Sequence, residues 1–233
     1  MNPTPTPPTR ITLPRTPEVE EAARAGFDLG LIEDNLNLTC EQRAIQHDRA
    51  LALMWKLKRQ YEQTGNETNA SEDHLLRRLM DAQIEFVIVG DYASVAHGCD
   101  WFVTSKLEIC ATLTNANIQR LRKALGDLHP RHRMTSQKLS FLEVPQEGAP
   151  PLQNLYLNTD WGIIDILTNV LGVGDFERLK STATAVPFQG KTCLVMSLED
   201  LIQAKETLAR EKDLLVAKEL RAIASARKQT PRA

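Results

Sequence analysis

A glycine between a predicted strand and a predicted helix, Gly90, has the position that phosphate binding requires. The largely apolar run 84–89 is typical of a buried strand, and Gly90 ends it. Residues 91–97 have the length of about two helical turns, and Gly98 suits a left-handed C-terminal cap. The strand therefore delivers a glycine to the N-terminus of a helix, where free backbone N–H groups can bind a phosphate.

Ionisable side chains lie in two further predicted strands. Residues 106–111 alternate, so Lys106 and Glu108 point to the polar face of their strand. Asp165 interrupts the otherwise apolar strand 162–167. Because burying an unpaired carboxylate is costly, Asp165 must either be neutralised by a partner or have a function.

The order of the motifs between residues 75 and 223 resembles the nucleotidyltransferase superfamily, in particular its small bacterial members and the abortive-infection type of toxin. In that family a strand leads into Gly-Gly or Gly-Ser, then a helix ending in His-Gly, then Thr-x-Asp-x-Asp on the next strand. The residues that carry the resemblance here are Gly90-Asp91, His97-Gly98, Thr104 to Glu108 (TSKLE), Gly162 to Asp165 (GIID), Ser197 to Ile202 (SLEDLI) with Lys205, and Lys212 to Leu215 (KDLL). The resemblance implies an α+β fold with a mixed sheet flanked by helices, preceded in this chain by a helical extension.

The resemblance also implies a metal-dependent reaction. In active members, two Asp on one strand and a third carboxylate on a neighbouring strand bind divalent metals, which hold the nucleotide phosphates and stabilise displacement at the α-phosphorus. By this resemblance Glu108 and Asp165 are Mg²⁺ ligands, and these two residues and Lys106 are catalytic. The residues implied to hold a nucleoside triphosphate, as substrate or ligand, are Gly90, Asp91, Thr104, Ser105, Lys205 and Lys212.

Several of these positions depart from the family pattern. Lys106 stands where the family has its first Asp, and Glu108 stands at the second, so a positive charge replaces a metal ligand. Two cations about 4 Å apart repel by roughly 1 kcal/mol even in bulk water. Asp91 replaces the second Gly or Ser of the phosphate turn, where a carboxylate repels a triphosphate. Val216 replaces the last Asp of the Lys-Asp-x-x-Asp motif.

These departures leave three functional hypotheses. The first is a pseudoenzyme that keeps the fold and binds a nucleotide or a partner with little or no transfer. The second is an active nucleotidyltransferase in which Glu108 and Asp165 hold one metal and Lys106 neutralises phosphate. Its acceptor would be RNA or protein, and the resemblance extends to toxin–antitoxin pairs. The third is a module that dimerises or binds a protein through its N-terminal helices.

The chain is predicted to contain five segments. They are a disordered Pro/Thr-rich tail (1–17), a helical extension (18–63), a linker (64–70), the nucleotidyltransferase-like domain (71–225) and a basic tail (226–233). Thr39 and Gln42 have the spacing of a capping box, which predicts a helix from there to about residue 63.

The composition is that of an ordinary globular protein, with 233 residues, 42% hydrophobic residues, 25% charged residues and a net charge of −2. No global field therefore favours nucleic acid, and the four cysteines lack the spacing of a zinc site. No stretch is long enough to span a bilayer, so we expect a cytoplasmic protein without membrane contact. The basic run 130–138 is interpreted as an exposed loop, with phosphate binding as the alternative.

Overall fold

The computed structural model describes residues 10–43, 45–46, 72–99, 106–135, 138–143 and 152–229. Its helices are α1 (Pro17–Arg24), α2 (Leu29–Asn37), α3 (Glu72–Asp81), α4 (Gly90–His97), α5 (Asn115–Leu125), α6 (Phe176–Thr182), α7 (Leu198–Leu208) and α8 (Glu211–Gln229). Its strands are β1 (Val87–Ile88), β2 (Lys106–Cys110), β3 (Arg131–His132), β4 (Asn154–Thr159), β5 (Gly162–Leu167), β6 (Asn169–Val170), β7 (Gly174–Asp175), β8 (Thr184–Phe188) and β9 (Lys191–Val195). The predicted linker 64–70 lies outside the described residues.

Seven of the described strands form one mixed sheet in the order β3-β4-β5-β2-β1-β9-β8. The pairs β2–β5 and β1–β9 are parallel, and the other neighbours are antiparallel. Apolar residues of the central strands are fully buried, because each points from the sheet into the layer beneath the helices; they include Leu107, Ile109, Leu155, Leu157, Ile164 and Ile166. The predicted α+β fold with a mixed sheet flanked by helices is therefore confirmed.

Side-chain caps set where several helices begin. Thr39 and Gln42 form the predicted capping box: the Thr39 N–H donates to Gln42 Oε1 at 2.7 Å, and the Gln42 N–H donates to Thr39 Oγ1 at 3.1 Å. Residues 40–43 and 45–46 are helical, while the rest of that predicted helix lies outside the described residues. Thr114 caps α5, and Ser197 caps α7 through the Asp200 N–H.

The N-terminal residues pack onto the domain of their own chain. Val19 and Ala22 of α1 pack against Ala222 of α8 in a small apolar cluster. We predicted disorder as far as residue 17, whereas residues 10–16 lie against α2. The Ile11 and Leu13 N–H groups donate to side-chain oxygens of α2 at 2.8 Å each, which holds the segment in place.

The C-terminal end and one predicted strand also differ from expectation. The predicted basic tail was to begin at residue 226, yet α8 continues to Gln229 and Ala226 is fully buried. The sequence 139–144 also suggests a short strand, but of residues 139–143 only Ser140 makes an isolated bridge, to Arg131. Within the described residues, no helix combines the length and apolar character needed to cross a membrane.

Candidate functional site

Three of the predicted site residues meet on the parallel pair β2–β5. Glu108 lies directly opposite Asp165 in the register of the two strands, and Lys106 lies two residues before Glu108 on the same face. The Lys106 Nζ atom is 2.8 Å from Glu108 Oε1 and 3.2 Å from Asp165 Oδ2. The ammonium group therefore lies between two carboxylates that the sheet register brings together.

The charge of Lys106 is maintained by this arrangement. Partial burial by itself lowers the pKa of Lys106, because it penalises the charged form. The hydrogen bond to Glu108 and the negative charges of Glu108 and Asp165 outweigh burial, so the pKa is raised above its ordinary value. Lys106 is consequently an ammonium ion at physiological pH.

Arg133 is a site residue that the sequence analysis missed. Its Nε and Nη2 atoms donate to Asp165 Oδ1 at 3.1 and 2.7 Å, and Nη2 also donates to Asp165 Oδ2 at 2.6 Å. The guanidinium group also lies 5.3 Å from the centroid of the Tyr156 ring. Because the Asp165 side chain is only 2% exposed, this fork and Lys106 neutralise a carboxylate that water cannot reach.

Gly90 is the first residue of α4, and it has φ +66, in the left-handed region that favours glycine. A Cβ atom added at Gly90 would lie 2.1 Å from Glu108 Oε2. The Glu108 carboxylate therefore packs against the Gly90 backbone, beside the N-terminus of the helix. An anion there is favoured by the helix dipole, and in this chain the anion is a side chain.

A second group of charges extends from this centre. Lys205 is buried, with an ion pair to Asp91 and a second to Asp213, whose Oδ1 is 3.3 Å from its Nζ. Burial raises the pKa of Asp213, but the hydrogen bond from Arg210 and the charge of Lys205 outweigh it and lower that pKa. The hydrogen bond to Asp213 in turn raises the pKa of Arg210, and the negative charges of Asp91 and Glu108 raise it further.

Not every predicted residue joins this cluster. Lys212 is exposed on α8, whereas its neighbour Asp213 is buried in the cluster. The predicted residues Thr104 and Ser105 lie outside the described residues. His97 is buried, and its Nε2–H donates to the Met196 carbonyl at 2.7 Å.

Among the described residues, this cluster contains four cations and four carboxylates. The cations are Lys106, Arg133, Lys205 and Arg210, and the carboxylates are Asp91, Glu108, Asp165 and Asp213. Within the described part of the chain, no group of three or more His, Cys, Asp or Glu side chains is arranged to hold a metal ion. The positive charges that the described residues place beside Glu108 and Asp165 are those of Lys106 and Arg133.

Comparisons with known proteins give only distant likenesses. No family model matches the chain, and neither does any curated protein. One similar solved structure is a lincosamide antibiotic adenylyltransferase, LnuA, bound to lincomycin, with a TM-score of 0.42 and 15% identity over 67% of this chain and 99% of that one. Another is an antigenic nucleotidyltransferase-like protein from Paracoccidioides brasiliensis, with a TM-score of 0.37 and 16% identity over 70% of this chain and 79% of that one. Similarity at this level does not by itself assign the chain to a family.

Proposed function

We propose that this protein is a nucleotidyltransferase-like pseudoenzyme, in which a lysine takes the position of the catalytic metal and ligands bind without transfer. The observation that carries the proposal is the position of the Lys106 ammonium group, within 3.2 Å of both Glu108 and Asp165. These are the two carboxylates that the sequence motif aligns with metal ligands.

Charge and coordination both disfavour a divalent metal at this centre. Mg²⁺ needs hard oxygen ligands in a near-octahedral arrangement, but the oxygens of Asp165 already accept hydrogen bonds from Arg133. A metal about 4 Å from the ammonium would also meet a repulsion of roughly 1 kcal/mol per unit charge in water, and about four times more near a protein surface. The metal would have to displace both Lys106 and Arg133.

Anionic ligands could bind here without a metal. The side chains of Lys106, Arg133 and Arg210 are 33%, 26% and 59% exposed, so each can reach a ligand that approaches from solvent. Exchanging a carboxylate partner for a phosphate oxygen preserves a charge-assisted hydrogen bond. This supports a nucleotide as the ligand, and a protein partner with an acidic side chain is the alternative.

The first test is a pair of measurements on the wild-type protein. With α-labelled nucleoside triphosphates and Mg²⁺ or Mn²⁺, we expect no transfer of label. In thermal-shift titrations, a bound nucleotide at about 100 times its Kd should add about 2.7 kcal/mol of stability, with or without metal. Metal-dependent transfer that Asp165→Ala abolishes would contradict the proposal and support the active enzyme instead.

The second test is a gain of metal binding. Lys106→Asp removes the internal cation and adds a carboxylate beside Glu108 and Asp165, so we expect Mn²⁺ to raise the Tm of this variant but not that of the wild type. Lys106→Met is the matched control, because it removes the charge without adding an oxygen ligand. If Mn²⁺ stabilises the wild type as much as Lys106→Asp, then Lys106 does not replace a metal.

A further inference from the structure

Positive charge is concentrated in a surface feature next to the site, which we call the basic arm. It consists of residues 131–135 and 138–143, with Arg122 and Lys123 of α5. It contains five Lys or Arg residues and one acidic residue, Glu143, whereas the whole chain has a net charge of −2.

The arm is held together by specific contacts. The Arg122 side chain donates to the carbonyl oxygens of Phe141 and Glu143, at 3.1 and 3.0 Å. The His132 N–H donates to the Leu139 carbonyl at 2.8 Å, and the Phe141 N–H donates to the Pro130 carbonyl at 2.8 Å. These bonds join α5, β3 and residues 138–143 into one unit, so its charges have a defined arrangement.

The exposed cations of the arm differ from most basic residues elsewhere on the protein. Lys123, Arg131 and Lys138 are exposed, and none forms an ion pair with a carboxylate of the described residues. On other surfaces, basic residues are commonly paired, as Arg10, Arg78, Lys180, Lys191, Lys218 and Arg221 are. The nearby carboxylates already have partners: Asp127 pairs with Arg78, and Asp160 contacts His129.

We infer that the basic arm binds the phosphodiester backbone of a single-stranded nucleic acid. Three exposed cations that have no acidic partner among the described residues can each neutralise a phosphate and release condensed counterions. Arg133 follows Arg131 by two residues and reaches from the arm to Asp165, so the arm borders the candidate site. The inference does not depend on whether that site transfers nucleotides.

A single strand fits this feature better than a lipid surface. Met134, Leu139 and Leu142 of the arm are 68%, 46% and 38% exposed, and a bilayer would also contact such residues. However, a flat surface cannot follow the arm to the half-buried Arg133, whereas a flexible strand can. The exposed Met134 beside Arg133 offers an apolar surface against which a base can pack.

Fluorescence anisotropy on the full chain tests the inference, with labelled oligouridine and oligodeoxythymidine as probes. A parallel sedimentation assay measures binding to vesicles that contain phosphatidylserine. With three phosphate contacts, log K should fall with log salt concentration with a slope of about −2. In the double variant Arg131→Gln/Lys138→Gln, we expect a slope of about −0.7 and an affinity about tenfold or more lower at low salt.

A matched double variant, Arg24→Gln/Lys228→Gln, removes the same charge from exposed positions on α1 and α8. It should bind the oligonucleotides as the wild type does. Equal losses in both double variants would show a general charge effect and overturn the inference. It would also be overturned by binding to vesicles alone, or by binding to neither oligonucleotide. Because these readouts do not involve Mn²⁺ or label transfer, their outcome is separate from that of the proposed function.

Discussion

The Glu108 carboxylate occupies the space that a side chain at position 90 would need, so Gly90 is sensitive to substitution. In Gly90→Ala the new methyl group would lie 2.1 Å from Glu108 Oε2, and the backbone would keep a left-handed φ that costs a non-glycine residue about 1–2 kcal/mol. Glu108 would have to move away from Lys106. We expect the free energy of unfolding, measured in urea, to fall by about 2–3 kcal/mol.

Gly126→Ala is the control for this prediction. Gly126 has φ −58 and no heavy atom within 4 Å of an added Cβ, so alanine there should be neutral or stabilise by up to about 1 kcal/mol. In a Glu108→Ala background, which removes Oε2 and Cδ but keeps a Cβ atom 3.2 Å from the added methyl group, the cost of Gly90→Ala should shrink, and the backbone strain should be its larger remaining part. An unchanged cost in that background would mean that Glu108 does not pack against Gly90.

At the scale of single residues, the sequence motif located only part of the site. Lys106, Glu108 and Asp165 follow from strand patterns, because a charged residue in an apolar strand is conspicuous. Arg133 does not, since it lies in a basic run with no feature that distinguishes it from Arg131. Its pairing with Asp165 depends on how β3 is placed against β4, which is a tertiary effect. Lys212 was chosen instead of Asp213 because the motif gives residue types but not their orientation on the helix.

At the scale of elements, Arg43 joins the N-terminal helices to the rest of the protein. It is only 7% exposed, and its guanidinium donates to the Asn35 and Leu38 carbonyls at the end of α2, at 2.9 and 2.7 Å. It also donates to the Ala96 carbonyl at the end of α4, at 3.1 and 2.8 Å. One side chain thus donates hydrogen bonds to carbonyl groups at the ends of two helices.

We therefore expect Arg43→Met to lower the free energy of unfolding by about 2–4 kcal/mol, because it keeps much of the volume but removes the charge-assisted hydrogen bonds to the Asn35, Leu38 and Ala96 carbonyls. Hydrogen exchange should show faster exchange in α2 as well. Arg24→Met is the control: Arg24 is exposed and bonds to one carbonyl of its own helix, so its loss should cost about 0.5 kcal/mol or less. Similar costs for the two variants would argue against the anchoring role of Arg43.

Elements were predictable where their signals are local. The capping box at Thr39 and Gln42, and the hairpins formed by β4–β5 and β8–β9, need only neighbouring residues. β3 has two residues, and it exists because β4 offers it a partner, which no sequence pattern indicates. Residues 139–143 suggest a strand, yet Arg122 binds the carbonyl groups of Phe141 and Glu143, and residues 141–142 form a turn.

At the scale of the whole molecule, His97 connects three parts of the chain. Its Nε2–H donates to Met196, which lies between β9 and α7, and Arg227 of α8 donates to its Nδ1 atom at 3.2 Å and to its carbonyl at 2.9 Å. Burial lowers the pKa of His97 to about 4, and the positive charges of Arg227 and Arg43 act in the same direction, against the bond to Met196. The folded protein therefore keeps this imidazole neutral.

This low pKa predicts a dependence of stability on pH. Between pH 6.5 and about 4 the unfolded chain binds a proton at His97 and the folded chain does not, so stability falls as pH falls through this range. The full loss is about 3 kcal/mol.

In His97→Gln, whose amide can still donate to Met196, that contribution disappears. The free energy of unfolding in urea is measured for both proteins at a series of pH values. The difference between the two proteins isolates the contribution of His97, because the other titrating groups contribute equally to both. The wild type should lose stability more steeply than the variant from pH 6.5 downward, and parallel curves would mean that folding does not lower the pKa of His97.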